Sequence, residues 1–127
     1  MGVREDHIEL VKHASELIEQ AEFDQLRPFL TEDVVWTGAL TRPVQGADQM
    51  IAEMKKFEDQ FGVNTKFESA DYFGDESQVV SHEHFRLTRG ERTLEGEGVH
   101  IFEFTDGKVS KVTVFTGDPQ RMAAFFA

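Results

Sequence analysis

The sequence predicts an α+β fold, and three observations carry that prediction. The long helical periodicities lie in the first half of the chain, within residues 4–61. Alternating, β-branched and aromatic runs fill the second half. The runs are separated by turn clusters, Asp75-Glu76-Ser77 and Arg89-Gly90-Glu91, so strands follow strands directly. Segregation of this kind argues α+β over alternating α/β.

The first helix is expected over Arg4–Gln20. Leu10, Ala14, Leu17, Ile18 and Ala21 recur at helical spacing, while Glu5, Glu9, Lys12, Glu16 and Glu19 take the opposite face. A short second helix is expected over Phe23–Leu30, kept short by Pro28, which lacks a backbone donor. Asp33–Gly38 reads as a strand, and a loop with Pro43 and Gly46 follows it. A third helix spans Ala47–Phe61 with Met50, Met54, Phe57 and Phe61 on one stripe, and Gly62 stands where a C-terminal cap belongs. Four strands follow, over Thr65–Phe73, Gln78–Thr88, Thr93–Phe104 and Lys108–Thr116. Pro119–Phe126 reads as a short terminal helix.

The 127 residues fit one domain, taken as 1–127. There is no cysteine, which excludes disulfides, thiolate chemistry and cysteine-bound metals. A formal net charge of −11 repels phosphate backbones, so nucleic acid is not an expected partner. No run approaches the ~18 apolar residues of a membrane span. The first residues lack the apolar core of a signal peptide, so a cytoplasmic location is expected. Twelve phenylalanines against one tyrosine and one tryptophan suggest a core or cavity lining of flat rings that need no hydrogen-bond partner.

The pairing of the third and fourth strands decides which polar groups share a face. A two-residue turn at Gly90-Glu91 sets Arg86 opposite Glu95, Leu87 opposite Leu94 and His84 opposite Glu97. Opposite charges and like apolar groups then meet, as cross-strand pairing prefers. Ser81 falls opposite His100, and one face carries Val79, Ser81, Glu83, Phe85, Leu87, His100 and Phe102. His82 and His84 go to the other face, beside Arg86, Glu95 and Glu97. A one-residue slip would instead gather His82, His84 and His100, a credible zinc set. In the favoured register no metal ligation is expected. For the last hairpin, Thr105-Asp106-Gly107 is expected as a three-residue loop with glycine in the left-handed region. Phe104 then pairs with Lys108, and Val112 and Val114 join the His100 face.

The predicted pocket is walled by Trp36, Phe57, Phe61, Phe85, Phe102, Val112 and Val114, with Ser81, Glu83 and His100 as its polar groups. Apolar walls with few convergent polar groups are typical of small-molecule sites. His100 with Glu83 fits an acid–base pair, and equally a buried hydrogen bond that only satisfies polar needs. Trp36 fits either stacking on a flat ligand or packing. His7 and His13 are expected at the surface or in helix packing.

Several segments resemble the SnoaL-like branch of the nuclear transport factor 2 superfamily. Leu30-Thr31-Glu32-Asp33-Val34-Val35-Trp36 is similar to its passage from helix to first strand. Pro43-Val44-Gln45-Gly46 is similar to the lead into its third helix, and Val99–Val109 to its pattern of apolar strand, Asp-Gly-Lys and apolar strand. The resemblance implies a cone-shaped, curved antiparallel sheet packed on three N-terminal helices, also known as a cystatin-like α+β barrel, with a pocket in the concave face. Family members often dimerise through the convex face, so the resemblance implies a homodimer there; the competing reading of His82 and His84 is a solvated charged face. Family members include ketosteroid isomerases, polyketide cyclases, epoxide hydrolases, dehydratases and non-enzymatic binding domains. The isomerase base is an aspartate where this chain has Gly38, and its helix-one tyrosine falls at Ala14. Its protonated aspartic acid falls at His100. Steroid isomerisation by that mechanism is therefore not expected. Two functions fit. One is cofactor-independent isomerisation, cyclisation or dehydration of an apolar ring-containing or acyl molecule through His100 and Glu83. The other is a non-catalytic ligand-binding or dimerisation domain.

Overall fold

The computed structural model describes residues 2–38 and 42–127. Helix α1 (Val3–Glu19) is followed by a 3-10 helix (Phe23–Phe29), β1 (Leu30–Thr37), β2 (Val44–Gln45) and α2 (Ala47–Phe61). Then come β3 (Asn64–Gly74), β4 (Gln78–Arg89), β5 (Arg92–Thr105), β6 (Lys108–Thr116) and α3 (Pro119–Phe126). The α+β organisation is as the sequence predicts. Two local differences stand out. The first strand begins at Leu30, which pairs with Val109 directly after the 3-10 helix. Val44-Gln45, read as loop, forms a short strand against Val35 and Trp36.

The six strands form one curved, unclosed sheet in the order β2-β1-β6-β5-β4-β3. β3 to β6 are an antiparallel meander. β1 enters beside β6 in the parallel sense, which tight turns could not produce; α2 and the whole meander lie between the two strands in the chain. Helix α1 lies against β3 and β4, and α2 against β1. One face of β4 is consequently buried at Val79, Ser81, Glu83, Phe85 and Leu87, while the alternate residues face outward.

The β4–β5 hairpin turns on Gly90-Glu91 with Arg89 opposite Arg92 and Ser81 opposite His100, the predicted register. The β5–β6 hairpin differs from the three-residue loop predicted. Asp106 (φ 51°) and Gly107 (φ 79°) make a two-residue turn, with Thr105 opposite Lys108 and Phe104 opposite Val109. Asp-Gly suits such a turn because both central residues need positive φ. The register then shifts between Glu103 and Phe104, so His100 meets Val114 and Phe102 meets Val112. Turn and shift compensate in parity, and Val112 and Val114 stay on the His100 face. A second irregularity lies between Phe67 and Ser69 of β3. Bulges of this sort sharpen local twist and bend the strand.

The concave face holds two separate apolar clusters. One contains Leu17, Leu26, Leu30, Val34, Met50, Ile51, Val109 and Val112, joining α1, the 3-10 helix, α2, β1 and β6. The other contains Phe85, Leu87, Leu94, Met122 and Phe125, joining β4 and β5 to α3. Asp118 starts α3 by accepting a hydrogen bond from the Arg121 amide at 3.0 Å. Arg89 and Arg92 donate to the Phe125 carbonyl and hold that helix over the hairpin end.

Candidate functional site

Between the two apolar clusters β4 and β5 place a polar strip. Glu83 stands opposite Gly98, and His100 opposite Ser81. With no side chain at 98, the Glu83 carboxylate leans diagonally across β5. His100 Nδ1–H donates to Glu83 Oε1. Ser81 Oγ donates to Oε2 at 2.6 Å. Both carboxylate oxygens are thereby engaged, as a buried carboxylate requires. Ser81 and Glu83 are 2% and 3% exposed. The His100 side chain keeps 25% of its surface open. Glu83 fixes one imidazole nitrogen, which leaves Nε2 as the nitrogen free to exchange a proton.

Aromatic groups set the orientation of the imidazole. Phe102 stacks on it at 5.8 Å between centroids and 13° between planes, and Phe67 meets it edge-on at 6.3 Å. Phe67 is held in turn by Glu19 of α1, whose Oε1 accepts the Phe67 amide at 2.9 Å, next to the bulge in β3.

Tyr72 sits opposite Ser81 and extends the polar row to β3. Burial pushes its phenol above the usual tyrosine range, and the charges of Glu83, Glu16, Glu19 and Glu9 push in the same direction. The hydroxyl is thus a persistent donor at neutral pH. The Lys12 ammonium lies 5.4 Å from the ring centroid. Sequence reasoning missed Tyr72, Phe67 and Glu19. Pairing back through a three-residue Asp75–Ser77 turn would have set Tyr72 opposite Val80 on the outer face; in the structure Gly74 pairs with Val79, and the extra residue turns Tyr72 inward. The bulge that seats Phe67 leaves no local signal.

The residues predicted as walls fall into three places. Trp36, Phe102 and Val114 pack against the first, which includes Val112. Phe85 belongs to the second. Phe57 and Phe61 stack on each other at 4.9 Å and on Phe126 of α3 at 4.9 and 5.3 Å. Of the two histidines on α1, His7 is buried and lies flat on Phe104 at 3.8 Å, while His13 is exposed with its edge to Phe29. His82 and His84 face outward, so the grouping of His82, His84 and His100 that a register slip would create does not form. Both lie near Glu97.

Comparison with known proteins gives a family and a fold. The SnoaL-like domain family matches residues 11–112. No curated protein matches. Among solved structures, Bal32a from a soil-derived mobile gene cassette superposes with a TM-score of 0.85 at 16% identity, covering 99% of this chain and 100% of that one. An NTF2-like protein of unknown function from Burkholderia pseudomallei K96243 gives 0.84 at 18% identity, covering 100% and 99%. An LEH-like epoxide hydrolase of M. tuberculosis gives 0.76 at 16% identity, covering 95% and 89%. At these identities the likeness is one of fold.

Proposed function

This chain belongs to the SnoaL-like domain family, and on that premise we propose that it binds a small apolar, ring-containing or acyl molecule in the concave face and moves a proton on it through His100. The observation that carries the reading is the buried Ser81–Glu83–His100 chain of hydrogen bonds, set between two apolar clusters with the imidazole still open to solvent. Trp36, Phe57, Phe61, Phe85, Phe102, Val112 and Val114 form the walls.

In this reading His100 Nε2 takes a proton next to a carbonyl, and Glu83 offsets the charge of the imidazolium that forms. Return of the proton to another carbon gives isomerisation. Attack of the carbanion on a second carbonyl of the same molecule, whose oxygen then takes the proton, gives cyclisation, and protonation of a departing hydroxyl, lost as water, gives dehydration. Tyr72, kept protonated, supplies a donor to an oxygen that gains charge. None of these steps requires a cofactor. The domain, residues 1–127, would act in the cytoplasm; among the described residues no helix is long and apolar enough to cross a membrane. It would pair as a homodimer through the convex sheet face, where Phe73 and Phe115 are 57% and 55% exposed.

The second reading, a binding domain without turnover, draws on Gly38 and Ala14, which stand where isomerases have a base and an oxyanion donor. One experiment separates the two. Native mass spectrometry of the purified protein identifies a co-purified molecule, and that molecule is offered to wild type and to His100→Ala. Turnover by wild type, lost in the variant with binding retained, supports catalysis. Changed affinity with no turnover in either supports the binding domain.

A further inference from the structure

We propose that the convex face of the sheet carries a site for a divalent transition-metal ion, built from His82, His84 and Glu97. The two histidines are separated by one residue on β4, so a strand places both imidazoles on one side. Glu97 on β5 is the direct partner of His84 and the diagonal neighbour of His82. Glu97 Oε1 is 3.4 Å from His84 Nε2 and 3.9 Å from His82 Nε2. One donor atom from each of the three residues lies within 4.8 Å of the other two. Donor atoms around a tetrahedral ion with bonds of about 2.0–2.2 Å sit roughly 3.3–3.6 Å apart. Small side-chain rotations on a fixed sheet are enough to close the set.

The ligand chemistry selects the ion. Two imidazoles and one carboxylate suit zinc, nickel, copper or cobalt and are poor for magnesium or calcium, which prefer all-oxygen sets. Three protein ligands leave an open position on the outward side. The surroundings favour a cation. Asp71 is the β3 partner of His82. The guanidinium two residues along the strand from His84, Arg86, is engaged by Glu68 at 2.9 Å and Glu95 at 2.7 Å. The chain carries a net charge of −11. The site is on the opposite side of the sheet from His100, so its occupancy and the proton chemistry of the concave face are independent questions.

The test uses the full chain, untagged and stripped of metal, titrated calorimetrically with zinc chloride. One equivalent is expected to bind. His82→Ala, His84→Ala and Glu97→Gln should each weaken binding about tenfold or more, while His13→Ala, another exposed histidine near a glutamate, leaves it unchanged. Cobalt in place of zinc should give the visible absorption of a tetrahedral centre, lost in His84→Ala. The substituted side chains are exposed in the single chain, but His82, His84 and Glu97 share the convex face with Phe115, so circular dichroism and sedimentation velocity check that each variant keeps the fold and assembly of wild type. Absence of stoichiometric binding, or binding that survives His84→Ala and Glu97→Gln unchanged, overturns the proposal. Either result would mean that Glu97 serves these histidines as an ion-pair partner only.

Discussion

Glu83 and His100 meet on the diagonal, not face to face. Their direct strand partners are Gly98 and Ser81, and the carboxylate crosses above Gly98 to reach the imidazole. A Cβ at 98 would lie 3.6 Å from Glu83 Oε1 and 3.4 Å from the Phe85 ring, which is ordinary contact. Gly98→Ala should therefore leave stability within about 0.5 kcal/mol of wild type. Gly98→Leu should displace the carboxylate and cost about 1–3 kcal/mol. Urea denaturation compares the two. At Gly96 a Cβ would come within 3.0 Å of Phe85 Cζ, so even Gly96→Ala should be measurably destabilising.

Removing His100 leaves a buried carboxylate with Ser81 as its remaining side-chain partner. His100→Ala should cost about 1–3 kcal/mol. Adding Glu83→Gln to that variant takes away the charge and should restore part of the loss. A double-mutant cycle by chemical denaturation reads the coupling. Additive losses would mean that the two side chains are not linked in solution.

Tyr72 predicts a loss of stability at alkaline pH. Its pKa is raised in the fold, by burial first and then by neighbouring glutamates. Above pH about 10 the unfolded chain releases the phenol proton while the folded chain keeps it. The folded state then binds more protons, so stability falls as pH rises through that window. Below it the two states hold the proton alike and the contribution is fully retained. Tyr72→Phe should flatten the alkaline decline, measured as urea midpoints across the range.

The β5–β6 turn rests on backbone that disfavours a side chain at its second position. Gly107 has φ 79°, with no atom within 4 Å of a built Cβ, so the strain of Gly107→Ala is conformational and not steric crowding. The substitution should cost about 1 kcal/mol in thermal or urea unfolding. A stabilised variant would show that the turn type is different.

If the convex face joins two copies, Phe115→Glu should shift the protein to monomer in sedimentation velocity while its circular dichroism stays native. Phe115 is one of the most exposed large apolar residues described. A monomeric wild type would remove the interface.

The sequence by itself determined the fold class, the order of the elements and the β4–β5 register. These are local properties. Helical and alternating periodicities are written in consecutive residues, and one two-residue turn sets Arg86 against Glu95 and Ser81 against His100. Tertiary structure decided what local pattern cannot carry. It inserted β1 beside β6, joined Val44-Gln45 to the sheet edge, and offset a shorter turn with a register shift in the β5–β6 pair. It also leaned Glu83 over a glycine toward His100 and brought Tyr72 and Phe67 to the same face from a bulged strand. The physical reason is that side-chain direction across several strands depends on the accumulated bend and bulges of the whole sheet, which no short stretch of residues encodes.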